Sequence, residues 1–158
     1  MLQREIENAF LDFSSEKSCC AETEVIVRYA ETDQMGVAYH GHYFTWYHIV
    51  RDALITRTGI DIKYWEKNGV YSPVVEANCI YKFPALYNDH LLVQCRTGAS
   101  QKTRIVMYYR LIRKKDGREI AFGKTVNVLM KKNGGILLDF PDEMKPFAGA
   151  LLGAGSVS

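Results

Sequence analysis

A carboxylate that follows a β-branched strand and sits a few residues ahead of a helix can attack an activated carbonyl, or draw a proton from the water that attacks it. The chain has one at Asp33, inside RYAETDQMGVAYHGHYF, residues 28–44. The first turn of the helix beyond it leaves backbone N–H groups without intrahelical partners, at the positive end of the helix dipole. Such groups can hold the oxyanion of a tetrahedral intermediate. Gly36 suits a tight connection between strand and helix, because it has no Cβ. Thr32 and Asp33 are equally the residue types of turns and caps, so spacing alone leaves both readings of Asp33 open.

Three histidines follow, at His40, His42 and His48. A metal centre built from them and Asp33 is disfavoured: no His-x-x-x-His pair is present, and helical spacing turns His42 and His48 to different faces. His40, next to the proposed oxyanion site, is the histidine suited to polarising or positioning a substrate.

The elements that must hold these residues are legible from periodicity. TEVIVRY, residues 23–29, alternates and reads as a first strand. Tyr43, Trp46, Tyr47, Val50, Ala53 and Leu54 recur with helical period, and Gly59 stands where a helix C-cap belongs. Beyond Val70 the period changes to two, in YSPVVEANCIYKF, HLLVQCRTGAS, TRIVMYYRLIRKK and REIAFGKTVNVLMKK. Asp116-Gly117 is the sharpest hairpin signal between them, and the last three strands should form an antiparallel meander. Leu2, Ile6, Phe10 and Phe13 give an amphipathic helical pattern at the amino terminus. The expectation is an α+β fold, one long helix against a five-stranded sheet. Residues 1–22 form an extension, 23–147 the domain, and 148–158 a flexible tail.

Composition narrows the function classes. The 158 residues are 47% apolar and 24% charged with a formal charge of +2, a globular balance that demands no nucleic acid. Cys19, Cys20, Cys79 and Cys95 make no CxxC pair, which argues against a zinc site or a disulfide framework and for a reducing cytoplasm. Glu5, Glu7 and Asp12 interrupt any signal-peptide core, and no stretch has the roughly 20 apolar residues of a membrane helix.

RYAETDQMGVAYHGHYFTWYHIVRDALI resembles the signature of the hotdog-fold acyl-CoA thioesterases, in the branch of 4-hydroxybenzoyl-CoA thioesterase and the YbgC-type enzymes. The likeness continues through VVEANCIYKFPALYNDHLLVQ and covers roughly residues 23–147. It implies a curled five-stranded sheet wrapped around one helix, and hydrolysis of an acyl-coenzyme A to free acid and thiol. By position it assigns the catalytic aspartate to Asp33, the preceding aromatic to Tyr29 and the histidine to His40. The oxyanion donors fall on the backbone N–H groups near His40 and Gly41. Lys82, Lys102 and Arg104 become candidates for binding the coenzyme A phosphates, with ordinary solvated surface as the alternative for each. No metal or bound cofactor is implied.

His48 and Met35 depart from the residues usual in that family, and the amino-terminal extension is unusual for it. RIVMYYRLIR is apolar on both faces, which suggests a second subunit covering the outer one. The resemblance implies a homodimer with the site at its junction, assembling further to a homotetramer. Two other readings remain open at this level: hydrolysis of acyl groups carried on acyl carrier protein, and a non-catalytic acyl-binding module.

Overall fold

The computed structural model describes residues 1–11, 20–98 and 103–152. Helix α1 (Leu2–Leu11) precedes strand β1 (Cys20–Ile26), a 3-10 turn at Tyr29–Glu31, the long helix α2 (His42–Arg57) and the short helix α3 (Ile62–Lys67). Strands β2 (Val70–Tyr71), β3 (Val74–Tyr81), β4 (His90–Thr97), β5 (Arg104–Arg113), β6 (Arg118–Val128) and β7 (Met130–Lys131) follow. A 3-10 turn at Asp142–Met144 leads into α4 (Lys145–Leu152).

The five long strands form one antiparallel sheet in the order β1-β4-β5-β6-β3. Strands β4, β5 and β6 are the expected meander, and the turn at Asp116-Gly117 carries Gly117 at φ 66° with its N–H donating to the Arg113 carbonyl. Helix α2 lies on one face of this sheet, in the hotdog arrangement. Its periodic residues Tyr43, Trp46, Tyr47, Val50 and Leu54 are all buried, against Leu91, Val93, Met107, Tyr109 and Leu111 from β4 and β5. Burying each such side chain is worth roughly 1.5–3 kcal/mol. Tyr47 stacks on Tyr109 at 4.5 Å and 21° between planes, which seats the middle of α2 over the middle of the sheet. The helix ends as its sequence predicts, with Thr58 as C-cap and Gly59 at φ 80°.

Three expectations need correction. The first strand stops at Ile26 rather than reaching Tyr29, because Tyr29 enters the 3-10 turn and Asn88 and Asp89 take over the hydrogen bonds of Val27. The tail expected from residue 148 begins inside α4, whose Ala148 and Leu151 are buried in the main core. The outer face of β5 is covered by the chain's own amino-terminal helix, not by a second subunit. Ile6 and Phe10 of α1 pack on Val106, Tyr108, Phe122 and Val126 as a second core on the far side of the sheet. Polar contacts hold α1 in register: the Glu5 carboxylate accepts from the Tyr108 hydroxyl and from Lys124 Nζ, Arg96 donates to the Ala9 carbonyl, and the Arg110 guanidinium lies 4.9 Å over the Phe10 ring. The apolar stripe of residues 2–13 thus finds its partner on the sheet.

Candidate active site

Asp33 sits at the tip of a tight hairpin built by its own neighbours. Its N–H donates to the Val37 carbonyl at 2.8 Å, and its carbonyl accepts from the Gly36 N–H at 2.9 Å. The turn closes because Gly36 takes φ 76°, a conformation costly for any residue with a Cβ. One carboxylate oxygen, Oδ1, accepts the Met35 N–H at 2.8 Å, so the turn role expected of Asp33 is real. The other, Oδ2, has no hydrogen-bond or ion-pair partner among the described residues. Capping a turn occupies one oxygen and leaves one for chemistry.

The hairpin is clamped to the rest of the fold on both sides. Thr32 bridges to Ala38, Val37 to Leu86, and the Ala38 N–H donates to the Ala85 carbonyl at 2.8 Å. Beyond it the chain turns into α2 through Gly41, where an added Cβ would stand 2.8 Å from the Tyr39 ring. Helix α2 begins at His42 with no side chain capping it. Among the described residues, the N–H groups of His40 and Gly41 donate to no acceptor.

Asp33 and His40 line one open groove of about 300 Å³, with Val37, Tyr43, Tyr81 and Lys82 also in its wall. Two tyrosines that sequence reasoning missed hold this groove together. The Tyr81 hydroxyl donates to the His40 carbonyl at 3.0 Å, tying the end of β3 to the start of α2. The Tyr43 hydroxyl accepts the Ala85 N–H at 3.2 Å, and its ring meets Tyr81 edge-on at 4.8 Å. The His40 ring lies between Tyr39, at 4.3 Å, and Tyr81, at 6.4 Å. Desolvation raises the acidity constants of both Tyr43 and Tyr81 above the ordinary phenol value, so both stay protonated hydroxyls near neutral pH.

The other predicted residues separate. Lys82 is in the groove, its ammonium 5.1 Å over the Phe122 ring. Arg104 is not: it pairs with Glu76 at 3.4 Å near the start of β3, whereas Lys82 lies past that strand's end. Six residues of extended strand put the two ends roughly 20 Å apart. Lys102 lies outside the described residues, as does Cys19. Tyr29 does not line the groove; it is 76% exposed and meets Tyr87 edge-on at 5.7 Å. His42 is near the Tyr39 ring, and His48 is further along α2, contacting Arg51 and Asp52. Arg118, over the Phe83 ring at 4.6 Å, is a cation beside the groove that the sequence did not single out.

Glu31 is the strongest omission. It is 3% exposed, and its carboxylate accepts from the Arg28 N–H at 2.8 Å, the Arg28 guanidinium at 3.1 Å and the Trp46 indole N–H at 3.2 Å. Its carbonyl takes the Tyr39 N–H at 2.8 Å. One residue therefore joins the 3-10 turn, the Asp33 hairpin and the core of α2. Burial pushes its carboxyl up, but the Arg28 amide and guanidinium and the Trp46 indole outweigh it, and the balance is downward from 4.5. A depressed carboxyl stabilises the fold above its unfolded value and stops doing so as pH falls through the folded one. Glu31→Gln should therefore unfold several degrees lower at pH 7, in line with about 1–3 kcal/mol for disrupted buried acceptor bonds. Thermal unfolding at pH 7 and near pH 3 checks this: the gap from wild type should narrow in acid, and an equal gap at both would refute it.

The sequence of residues 27–147 matches the family model described as the thioesterase-like superfamily. Bacillus subtilis YneP, named for acyl-CoA thioesterase activity, is 47% identical over 73 residues, which make up 46% of this chain and 53% of YneP. That alignment thus spans about half the length of the relative. A 1,4-dihydroxy-2-naphthoyl-CoA hydrolase from Synechococcus elongatus is 24% identical over 67% of this chain and 78% of its own. The solved DHNA-CoA thioesterase of Staphylococcus aureus superposes with a TM-score of 0.74 at 32% identity, covering 82% of this chain and 89% of that one. Among the described residues no helix is long and apolar enough to cross a membrane. The family match takes in the Asp33 hairpin, the start of α2 and all five strands of the sheet but β1, and on that breadth the chain belongs to the thioesterase-like superfamily.

Proposed function

We propose that this chain hydrolyses the thioester of an acyl-coenzyme A to a carboxylic acid and free coenzyme A. The observation that carries the reading is the pairing of a carboxylate oxygen without a partner, Asp33 Oδ2, with two unengaged backbone donors at the start of α2, on either side of one groove. The substrate carbonyl oxygen rests against the His40 and Gly41 N–H groups, which stabilise the negative charge as the carbon becomes tetrahedral. Asp33 either adds to that carbon or takes a proton from the water that does. The C–S bond then breaks, and coenzyme A leaves as a thiolate that takes up a proton. Water is the only co-reactant, and no metal or bound cofactor enters the scheme. His40, held by Tyr39 and Tyr81, positions the amides, and Lys82 and Arg118 offer positive charge to the nucleotide phosphates.

The assembly that fits this site is a homodimer joined through β3. That strand is an edge of the sheet and carries Val74 and Val75 exposed, an open row of backbone groups suited to a second copy of itself. The free thiols Cys20, Cys79 and Cys95 fit a reducing cytoplasm. A thiol-trapping dye with acyl-CoAs of graded chain length and aromatic acyl groups tests the reaction. At least one should release thiol well above the uncatalysed rate, and silence across the whole series would overturn the reading.

A further inference from the structure

A second cavity, of about 180 Å³, lies between α2, α3, α4 and the ends of β2, β5 and β6. Its interior is apolar, with Ile55, Trp65, Met107, Leu129 and Met144 in its walls, and the half-exposed His48 and Asp52 line its solvent side. One uncharged polar side chain interrupts the apolar interior. Asn127, 6% exposed, donates from Nδ2 to the Ser72 carbonyl at 2.8 Å, while its buried Oδ1 accepts from no described residue. The amide cannot relieve this by exchanging its oxygen and nitrogen, because that would set two carbonyl oxygens against each other at Ser72. An apolar cavity has no use for an unsatisfied acceptor unless something with a donor comes to it.

We propose that this cavity binds one ring-sized apolar group carrying a single hydrogen-bond donor, which Asn127 Oδ1 receives. The size fits, since an engineered apolar cavity of about 150 Å³ holds benzene. Specificity follows from chemistry: a donor-bearing ring satisfies Oδ1, and a plain ring leaves it buried and unpaired.

Two sources can supply such a group. One is a free small molecule. The other is the acyl end of a thioester, and this one rests on the proposed thioesterase reading. Tyr71 and Ser72, just before β3, line this cavity, whereas Tyr81 and Lys82, at and beyond its end, line the Asp33 groove. Antiparallel pairing of two β3 edges sets the groove of one protomer beside the cavity of its partner.

Fluorine NMR with 4-fluorophenol and fluorobenzene on the full chain tests the proposal. The phenol should bind wild type at least tenfold more tightly than fluorobenzene. Asn127→Leu should erase or invert that preference. Ile55→Trp, which fills the cavity from α2 and leaves the Asn127–Ser72 bond intact, should bind neither, and it decides the matter if Asn127→Leu fails to fold. Equal affinities in wild type, binding of neither probe, or a preference that survives these substitutions would overturn it. Thiol release in the presence of 4-fluorophenol separates the sources: competitive inhibition assigns the cavity to the acyl group, and binding without inhibition assigns it to a free ligand. If wild type cleaves no acyl-CoA, the thioesterase reading fails alone, and the NMR measurement still decides the cavity.

Discussion

Asp33→Asn should lower thiol release from the best acyl-CoA by at least about a hundredfold, in kcat as well as kcat/KM, on the scale of losing a catalytic base or nucleophile. The substitution is chosen because the geometry lets it remove chemistry without removing structure. An asparagine Oδ1 can still accept the Met35 N–H that the aspartate accepts at 2.8 Å, so the hairpin and its Gly36 turn remain. What is lost is the charge and basicity of the second oxygen, which makes no bond within the fold. Thermal unfolding should therefore stay within a degree or two of wild type, as for surface changes of about ±0.5 kcal/mol. Steady-state rates with a thiol-trapping dye, alongside a melting curve, make the comparison. A mutant within tenfold of wild type would remove Asp33 from the mechanism, and a large fall in melting temperature would recast it as a structural residue. Glu31→Gln is the internal contrast, since its cost falls first on folding.

The parts of this protein that were legible in its sequence are those whose signals are local. The period of Tyr43, Trp46, Tyr47, Val50 and Leu54 specifies one face of α2 whatever packs against it, and that face is buried. The Asp116-Gly117 turn and the meander follow from two-residue alternation and a residue able to take positive φ. Asp33 was legible because its spacing from Gly36 and His40 is itself local. The remainder depends on contacts far apart in the chain. Glu31 reads as a turn residue until the Trp46 indole, fifteen positions on, is found donating to it. Tyr81 gains its part only when β3 ends beside the start of α2, and Arg104 loses its part because the same strand register carries it to the far end. Tyr29 follows a strand pattern up to the point where the 3-10 turn rotates it outward. In the same way, residues 2–13 announce an apolar stripe but not what it will cover.

That stripe leads to the second large effect. Phe10→Asp should undock α1 without unfolding the domain, raising hydrogen exchange of the α1 amides by about a hundredfold or more while β4, β5 and β6 stay protected. Truncating a buried phenylalanine costs about 3–5 kcal/mol, and placing a carboxylate against Val106, Tyr108, Phe122 and Val126 adds a desolvation penalty. A hundredfold change needs only about 2.7 kcal/mol. The cost cannot exceed what docking α1 contributes, because past that point the helix simply leaves the sheet and the main core around α2 is untouched. Undocking frees the Glu5 carboxylate from Tyr108 and Lys124 and exposes an apolar face on β5 and β6. A face of that kind seeks a partner. In the full chain α1 occupies it, so wild type should sediment as the β3-joined dimer, twice 18.0 kDa, and the variant as a larger species. Loss of protection throughout β5 and β6 would show instead that α1 is integral to the fold. A wild-type tetramer would show that α1 does not close the outer face to further assembly.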